Sequence, residues 1–197
     1  MADRFRSYQE LARAKKEGRH FAIRYKPGKT GVLILAPHGG KIEPGTSELA
    51  QLIAGADHAF YAFEGAQLSC NFKDLHLTST CFNEPLALQK VITAEYVLTI
   101  HGQGNADESF ILVGGLDRDL AERITHELLN RGFHVAPERP GLAGCNPANI
   151  CNRNQRGRGV QLEISKQLRQ RLQWDLWNQK KFVEAVRTAL REIAPPS

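Results

Sequence analysis

Two histidines, each followed by glycine, stand directly after short apolar runs. Val32–Ala36 reads Val-Leu-Ile-Leu-Ala and leads through Pro37 into His38-Gly39-Gly40. Tyr96–Ile100 ends the same way, in His101-Gly102-Gln103-Gly104. Glu43 follows His38 by five positions, before Gly45-Thr46-Ser47 opens a helix. Two imidazoles and one carboxylate are a donor set for catalytic zinc, whose fourth position is left to water. The same residues also suit hydrogen-bonded histidines on a sheet rim, because a chain with seven histidines produces some His-Gly pairs by chance. The spacing is not the helical HExxH of metalloproteases. What separates the two readings is topology: parallel neighbouring strands would put both imidazoles on one rim.

A second carboxylate belongs with this set. Val160–Ser165 alternates strictly, with Val160, Leu162 and Ile164 on one face and Gln161, Glu163 and Ser165 on the other. A glutamate in an interior strand is costly to bury without a partner. Glu163 therefore either pairs with an arginine, Arg153 or Arg169, or serves as a general base beside activated water. Arg153 sits in Asn149-Ile150-Cys151-Asn152-Arg153 and could clamp a substrate carboxylate through two parallel hydrogen bonds or form a structural ion pair. Cys145 and Cys151 have no neighbouring histidine in sequence to activate them, which argues against a thiol mechanism.

The elements that must position these groups alternate. Helices are expected at Tyr8–Glu17 (Ser-x-x-Glu capping), Glu48–Ala54, from Pro85 to about Ala94, and from Asp117 to Gly132. A final helix carries Phe182, Val186, Leu190 and Ile193 on one face and is stopped by Pro195-Pro196. Strands are expected at His20–Tyr25, Val32–Ala36, Ala59–Phe63, Leu75–Thr78, Tyr96–Ile100, Phe110–Val113, Phe133–Ala136 and Val160–Ile164. In this scheme the chain leaves the sheet at Pro37, and His76 faces either a site or solvent. Pro137–Gly159, rich in Pro, Gly, Asn and Arg, is too long for a mere connection and reads as a functional or disordered loop. The alternation predicts an α/β fold: one domain over residues 1–197, with a mixed, largely parallel sheet covered by helices on both faces.

Composition narrows the classes. At 42% hydrophobic and 24% charged the chain has the balance of a globular domain, and no apolar run is long enough to span a bilayer. The N-terminus is charged and lacks a signal core, so the protein is expected in the cytoplasm, or outside the cell only after lysis. In that compartment the four cysteines are expected as free thiols. The net charge of +5 suits an anionic substrate. Basic residues concentrate between Arg153 and Arg171, forming either a solvated face or a polyanion-binding groove.

Taken together, LAPHGGKIEPGTSELA, YAFEG, LHLTST, IHGQG, LAGCNPANICNR and GVQLEIS resemble the poly-γ-glutamate hydrolase family, zinc peptidases of which many are phage-encoded. The resemblance runs in order over roughly residues 20 to 170. It implies a fold similar to zinc carboxypeptidases, Zn2+ on His38, Glu43 and His101, and Glu163 as general base. It also implies Arg153, perhaps with Arg169, as substrate-binding groups, and a glutamate polymer or another glutamate-containing amide as substrate. One departure is visible: carboxypeptidases space the first two ligands H-x-x-E, whereas here four residues intervene. Two alternatives are carried forward. One is a zinc amidohydrolase or deacylase of small N-acyl amino acids such as N-acylglutamates. The other is a non-enzymatic, phage-derived nucleic-acid binder, disfavoured because aromatics are scarce in the basic segment. A monomer without a membrane partner is expected.

Overall fold

The apolar runs and amphipathic segments form six strands and seven α-helices in the computed structural model, which describes residues 3–193. In chain order these are α1 (Tyr8–Ala14), β1 (Phe21–Lys26), β2 (Val32–Gly40), α2 (Thr46–Ala54), β3 (Ala59–Gly65), α3 (Asn71–Leu75), α4 (Pro85–Thr93), β4 (Tyr96–Gln103), β5 (Ile111–Gly115), α5 (Arg118–Asn130), a 3-10 turn (Ile150–Asn152), β6 (Val160–Ser165), α6 (Lys166–Trp174) and α7 (Leu176–Arg191). They build one mixed sheet of order β1-β3-β2-β4-β6-β5. The four inner strands β3, β2, β4 and β6 are parallel, and the edge strands β1 and β5 are antiparallel to their neighbours.

Alternation along the inner strands divides the core in two. Val32, Ile34, Leu98, Ile100, Leu162 and Ile164 face α2, α5 and α7, where Leu49, Ile53, Ile124, Phe182, Val186 and Leu190 are buried. Leu33, Leu35, Tyr61, Phe63 and Val97 face the other way, against Leu11, Leu75, Ala87 and Val91. The buried carboxylate of Glu84 caps α4 by accepting the N–H groups of Leu86 and Ala87, and it also takes the hydroxyl of Tyr61 at 2.7 Å.

Several elements differ from expectation. β2 does not end at Pro37 but runs on to Gly40, and β4 runs past His101 to Gln103. Leu75–Thr78 is not a strand: Leu75 closes the five-residue helix α3, and the chain then crosses the sheet end with Leu77 buried and no partner strand. Phe133–Ala136 contributes only one bridge, Val135 to Ile111, because it flanks an edge. Helix α6 was not expected, since Leu168 and Leu172 are its only buried apolar residues and a single i, i+4 pair is a weak signal. The expected stop at Pro195-Pro196 lies outside the described residues.

Candidate metal centre and active-site cleft

The site forms at the carboxyl ends of β2, β4 and β6, where an open α/β sheet places its ligands. His101 and Glu163 are direct register partners on β4 and β6, so their side chains leave the sheet on the same face. His38 needs a further device. By strict alternation it would share the face of Ile34 and Ala36. The pairing of β2 with β3 slips between Ala36 and Gly39, where one extra residue is accommodated as a bulge. This turns His38 to the opposite face, edge-on to Phe82 and 5.1 Å from the His101 ring.

The loop after β2 returns Glu43 to the same point. Gly40 adopts φ +59°, and a Cβ there would stand 2.7 Å from the carbonyl oxygen of Gly65, so glycine is required on both counts. The Glu43 N–H donates to the His38 carbonyl at 2.9 Å, and the Thr46 hydroxyl donates to the Glu43 carbonyl at 2.8 Å. The four intervening residues thus form a closed turn, which compensates for the wider spacing.

Near atoms converge and far atoms are occupied. His38 Nδ1 lies 3.2 Å from Glu43 Oε1 and 3.3 Å from His101 Nδ1. On the far side, His38 Nε2 donates to the Leu77 carbonyl at 2.8 Å, and Glu43 Oε2 accepts the Gly102 N–H at 2.7 Å. All three residues are buried. Burial alone would lower the His38 pKa, but the adjoining Glu43 carboxylate outweighs it and leaves it raised. Burial pushes His101 down to about 3, helped by His38. Burial would raise Glu43, but His38 more than offsets that and lowers it.

Glu163 lies beside this cluster at the floor of a cleft of about 890 Å³. Burial, and then the charge of Glu43, push its pKa up to about 8. Gln161, two residues earlier on the same face, places Nε2 3.4 Å from Glu163 Oε1 and also donates to the Leu142 carbonyl, tying the 141–146 segment over the cleft.

Arg169 is buried on the cleft wall. Its Nε donates to the Pro44 carbonyl at 2.9 Å, and Nη1 donates to the carbonyls of Gln103 and Ile164. One guanidinium thus ties the loop that carries Glu43 to the ends of β4 and β6, which carry His101 and Glu163. It packs directly on Gly102, where a Cβ would stand 2.5 Å from its Cζ, so a larger residue after His101 would displace the guanidinium. The hydrogen bonds of Arg169 to these carbonyls use Nε and Nη1, leaving Nη2 to the cleft that the residue lines.

Arg153 is the candidate that the structure does not bring in. It ends the 3-10 turn, half-buried, and is not among the cleft-lining residues. The basic segment scatters likewise: Arg156 pairs with Asp117, Arg171 approaches Asp175, and only Lys166 and Arg169 reach the cleft. All four cysteines are free thiols, and burial drives Cys151 up to about 12. Sequence reasoning left His76 undecided and missed Asp3. The His76 Nε2 stands 4.0 Å from Glu43 Oε1, and donor atoms of His38, Glu43 and His76 lie within 4.8 Å of one another.

The fold is thus an α/β protein with a mixed sheet, three imidazoles and two buried carboxylates on the rim of an open cleft. The chain belongs to the poly-gamma-glutamate hydrolase family, whose sequence profile matches residues 5–188. It is similar to the UPF0714 protein YmaC of Bacillus subtilis (strain 168), with 39% identity over 85% of this chain and 71% of that one. The SPbeta prophage-derived UPF0714 protein YoqZ of the same strain is 39% identical over 87% of this chain and 62% of its own length. Among solved structures, a bacteriophage poly-gamma-glutamate hydrolase superposes with a TM-score of 0.91 at 29% identity, covering 98% of each chain. The apo, zinc-free form of YndL superposes with a TM-score of 0.89 at 31% identity, covering 98% of this chain and 99% of that one.

Proposed function

We propose that this protein hydrolyses γ-glutamyl amide bonds of poly-γ-glutamate, using a divalent metal, zinc by preference, held by His38, Glu43 and His101. The observation that carries the proposal is the donor spacing. Two ligands about 2.0–2.1 Å from a tetrahedral ion lie about 3.4 Å apart. His38 Nδ1 lies 3.2 Å from Glu43 Oε1 and 3.3 Å from His101 Nδ1. The occupied far atoms support the same reading: with Nε2 of His38 donating to a carbonyl, the lone pair sits on Nδ1, toward the centre. Two imidazoles with one carboxylate suit zinc better than magnesium or calcium. The zinc-free form reported for YndL agrees with that choice.

A bound divalent ion supplies Lewis-acid chemistry, polarising a carbonyl and making water acidic. The remaining work falls to the chain. Glu163 accepts the proton of the attacking water at its carboxylate and delivers it to the departing amide nitrogen. Offsetting the charge of Glu43 would remove one of the two causes that keep Glu163 protonated, leaving more of it as the carboxylate that can accept a proton. Arg169 offers Nη2 to a substrate α-carboxylate while its other nitrogens hold the loops. Lys166, exposed on the same wall, adds a second positive charge for the next carboxylate.

The test is depolymerisation of poly-γ-glutamate followed by product size. The wild-type protein with zinc should shorten the polymer, and the chelator-treated protein should not until zinc is restored. Cleavage of short N-acylglutamates with the polymer left intact would replace this reading with that of a small-molecule deacylase.

A further inference from the structure

The three residues assigned to the ion do not account for His76 and Asp3. His76 is clamped between two rings, Phe72 at 4.5 Å and His38 at 4.1 Å between centroids. Its Nδ1 lies 2.7 Å from Asp3 Oδ1, and Asp3 Oδ2 accepts the Thr78 N–H. The N-terminal segment that brings Asp3 here is itself anchored, with Arg4 2.7 Å from Asp74 and Asp74 2.7 Å from Lys15. A carboxylate on Nδ1 fixes the tautomer with the proton on that nitrogen. The lone pair is then on Nε2, the atom that faces Glu43 Oε1 at 4.0 Å. His38 repeats this arrangement: an acceptor holds the far nitrogen, and the near one is bare toward the same point.

We infer that His76 is a fourth protein donor to the ion and that Asp3 is its positioning residue, forming a carboxylate–histidine–metal relay delivered by the N-terminal segment. The inference rests on the metal site of the proposed function. Zinc can expand to five ligands, so a fourth protein donor still leaves room for water. Orienting partners of this kind are typically worth about 10- to 100-fold in metal affinity.

The experiment is zinc affinity by chelator competition, with the visible spectrum of the Co2+-loaded protein as a second readout. Asp3→Ala should weaken zinc binding at least tenfold, His76→Ala should weaken it further, and both should alter the Co2+ spectrum. Asp3→Glu should recover part of the affinity. Arg4→Ala removes an anchor of the same segment without touching the imidazole, and its zinc affinity should stay within about twofold of wild type. His38→Ala serves as the reference. If it binds zinc like wild type, the metal site itself is wrong. If His38→Ala loses zinc while His76→Ala and Asp3→Ala keep wild-type affinity and spectrum, the metal site stands and this inference is overturned. An Arg4→Ala loss equal to that of Asp3→Ala would assign the effect to segment anchoring instead.

Discussion

Replacing Glu163 with glutamine should make the metal-free protein more stable and inactive at once. In the wild type the carboxyl is buried beside Glu43 and titrates near 8 instead of at the ordinary 4.5. A folded pKa above the unfolded one means that the native state holds the extra proton between those values, so stability falls as pH rises through the interval. At ~1.4 kcal/mol per pH unit the gap corresponds to an upper bound of about 5 kcal/mol, fully developed above pH 8. Relaxation and water entry reduce this, and a gain of about 1–3 kcal/mol for Glu163→Gln at pH 8 is the expected result. The amide keeps the shape and can still meet Gln161. Urea unfolding of the chelated proteins at pH 4 and pH 8 measures it: the two should coincide at pH 4, and the variant should lead at pH 8. The zinc-loaded variant should keep its metal and lose turnover. A variant less stable than wild type at pH 8, or a difference independent of pH, would show that the carboxylate is not an electrostatic burden and would remove the argument for its special role.

Gly102→Ala should drive the Arg169 guanidinium off its seat and cost about 2–4 kcal/mol by urea unfolding, because bonds from one charged donor group to backbone carbonyls are lost together; its kcat/KM should fall at least tenfold. Gly40→Ala meets both a positive φ and the Gly65 carbonyl, and should lower stability by about 2 kcal/mol or more and weaken zinc binding through misplaced Glu43. His58 is buried, with Nδ1 on the Thr30 hydroxyl and Nε2 unpartnered, and burial, with Arg187 second, holds its pKa near 4. The unfolded chain takes up that proton first, so stability should drop by about 2 kcal/mol between pH 6.5 and pH 4, and His58→Met should flatten that slope.

Much of the site was legible because its chemistry sits at strand ends. The apolar runs before His38 and His101 marked two parallel strands, and the alternation around Glu163 marked a third, so the three residues converge once β2, β4 and β6 are neighbours. The turn that returns Glu43 was foreseeable from Gly39-Gly40, whereas the bulge that turns His38 to the correct face was not, because it depends on the register with β3. His76 follows a five-residue helix and carries no strand-end pattern, and its partner Asp3 is 73 positions away. Arg153 is the contrasting case. A basic residue in a long polar loop reads as a substrate clamp, and Arg153 caps the 3-10 turn without being among the residues that line the cleft. Arg169 was legible as a charge near Glu163, but its bonds to three carbonyls require tertiary contacts that no local pattern encodes.

One ion is expected among side chains from β2, the loop after it, and β4. Zinc-edge anomalous diffraction from crystals grown with one equivalent of zinc tests it most directly. A single strong peak bounded by His38 Nδ1, Glu43 Oε1 and His101 Nδ1 is expected. An empty pocket at full zinc loading, or a peak elsewhere with His101 turned from it, would contradict it.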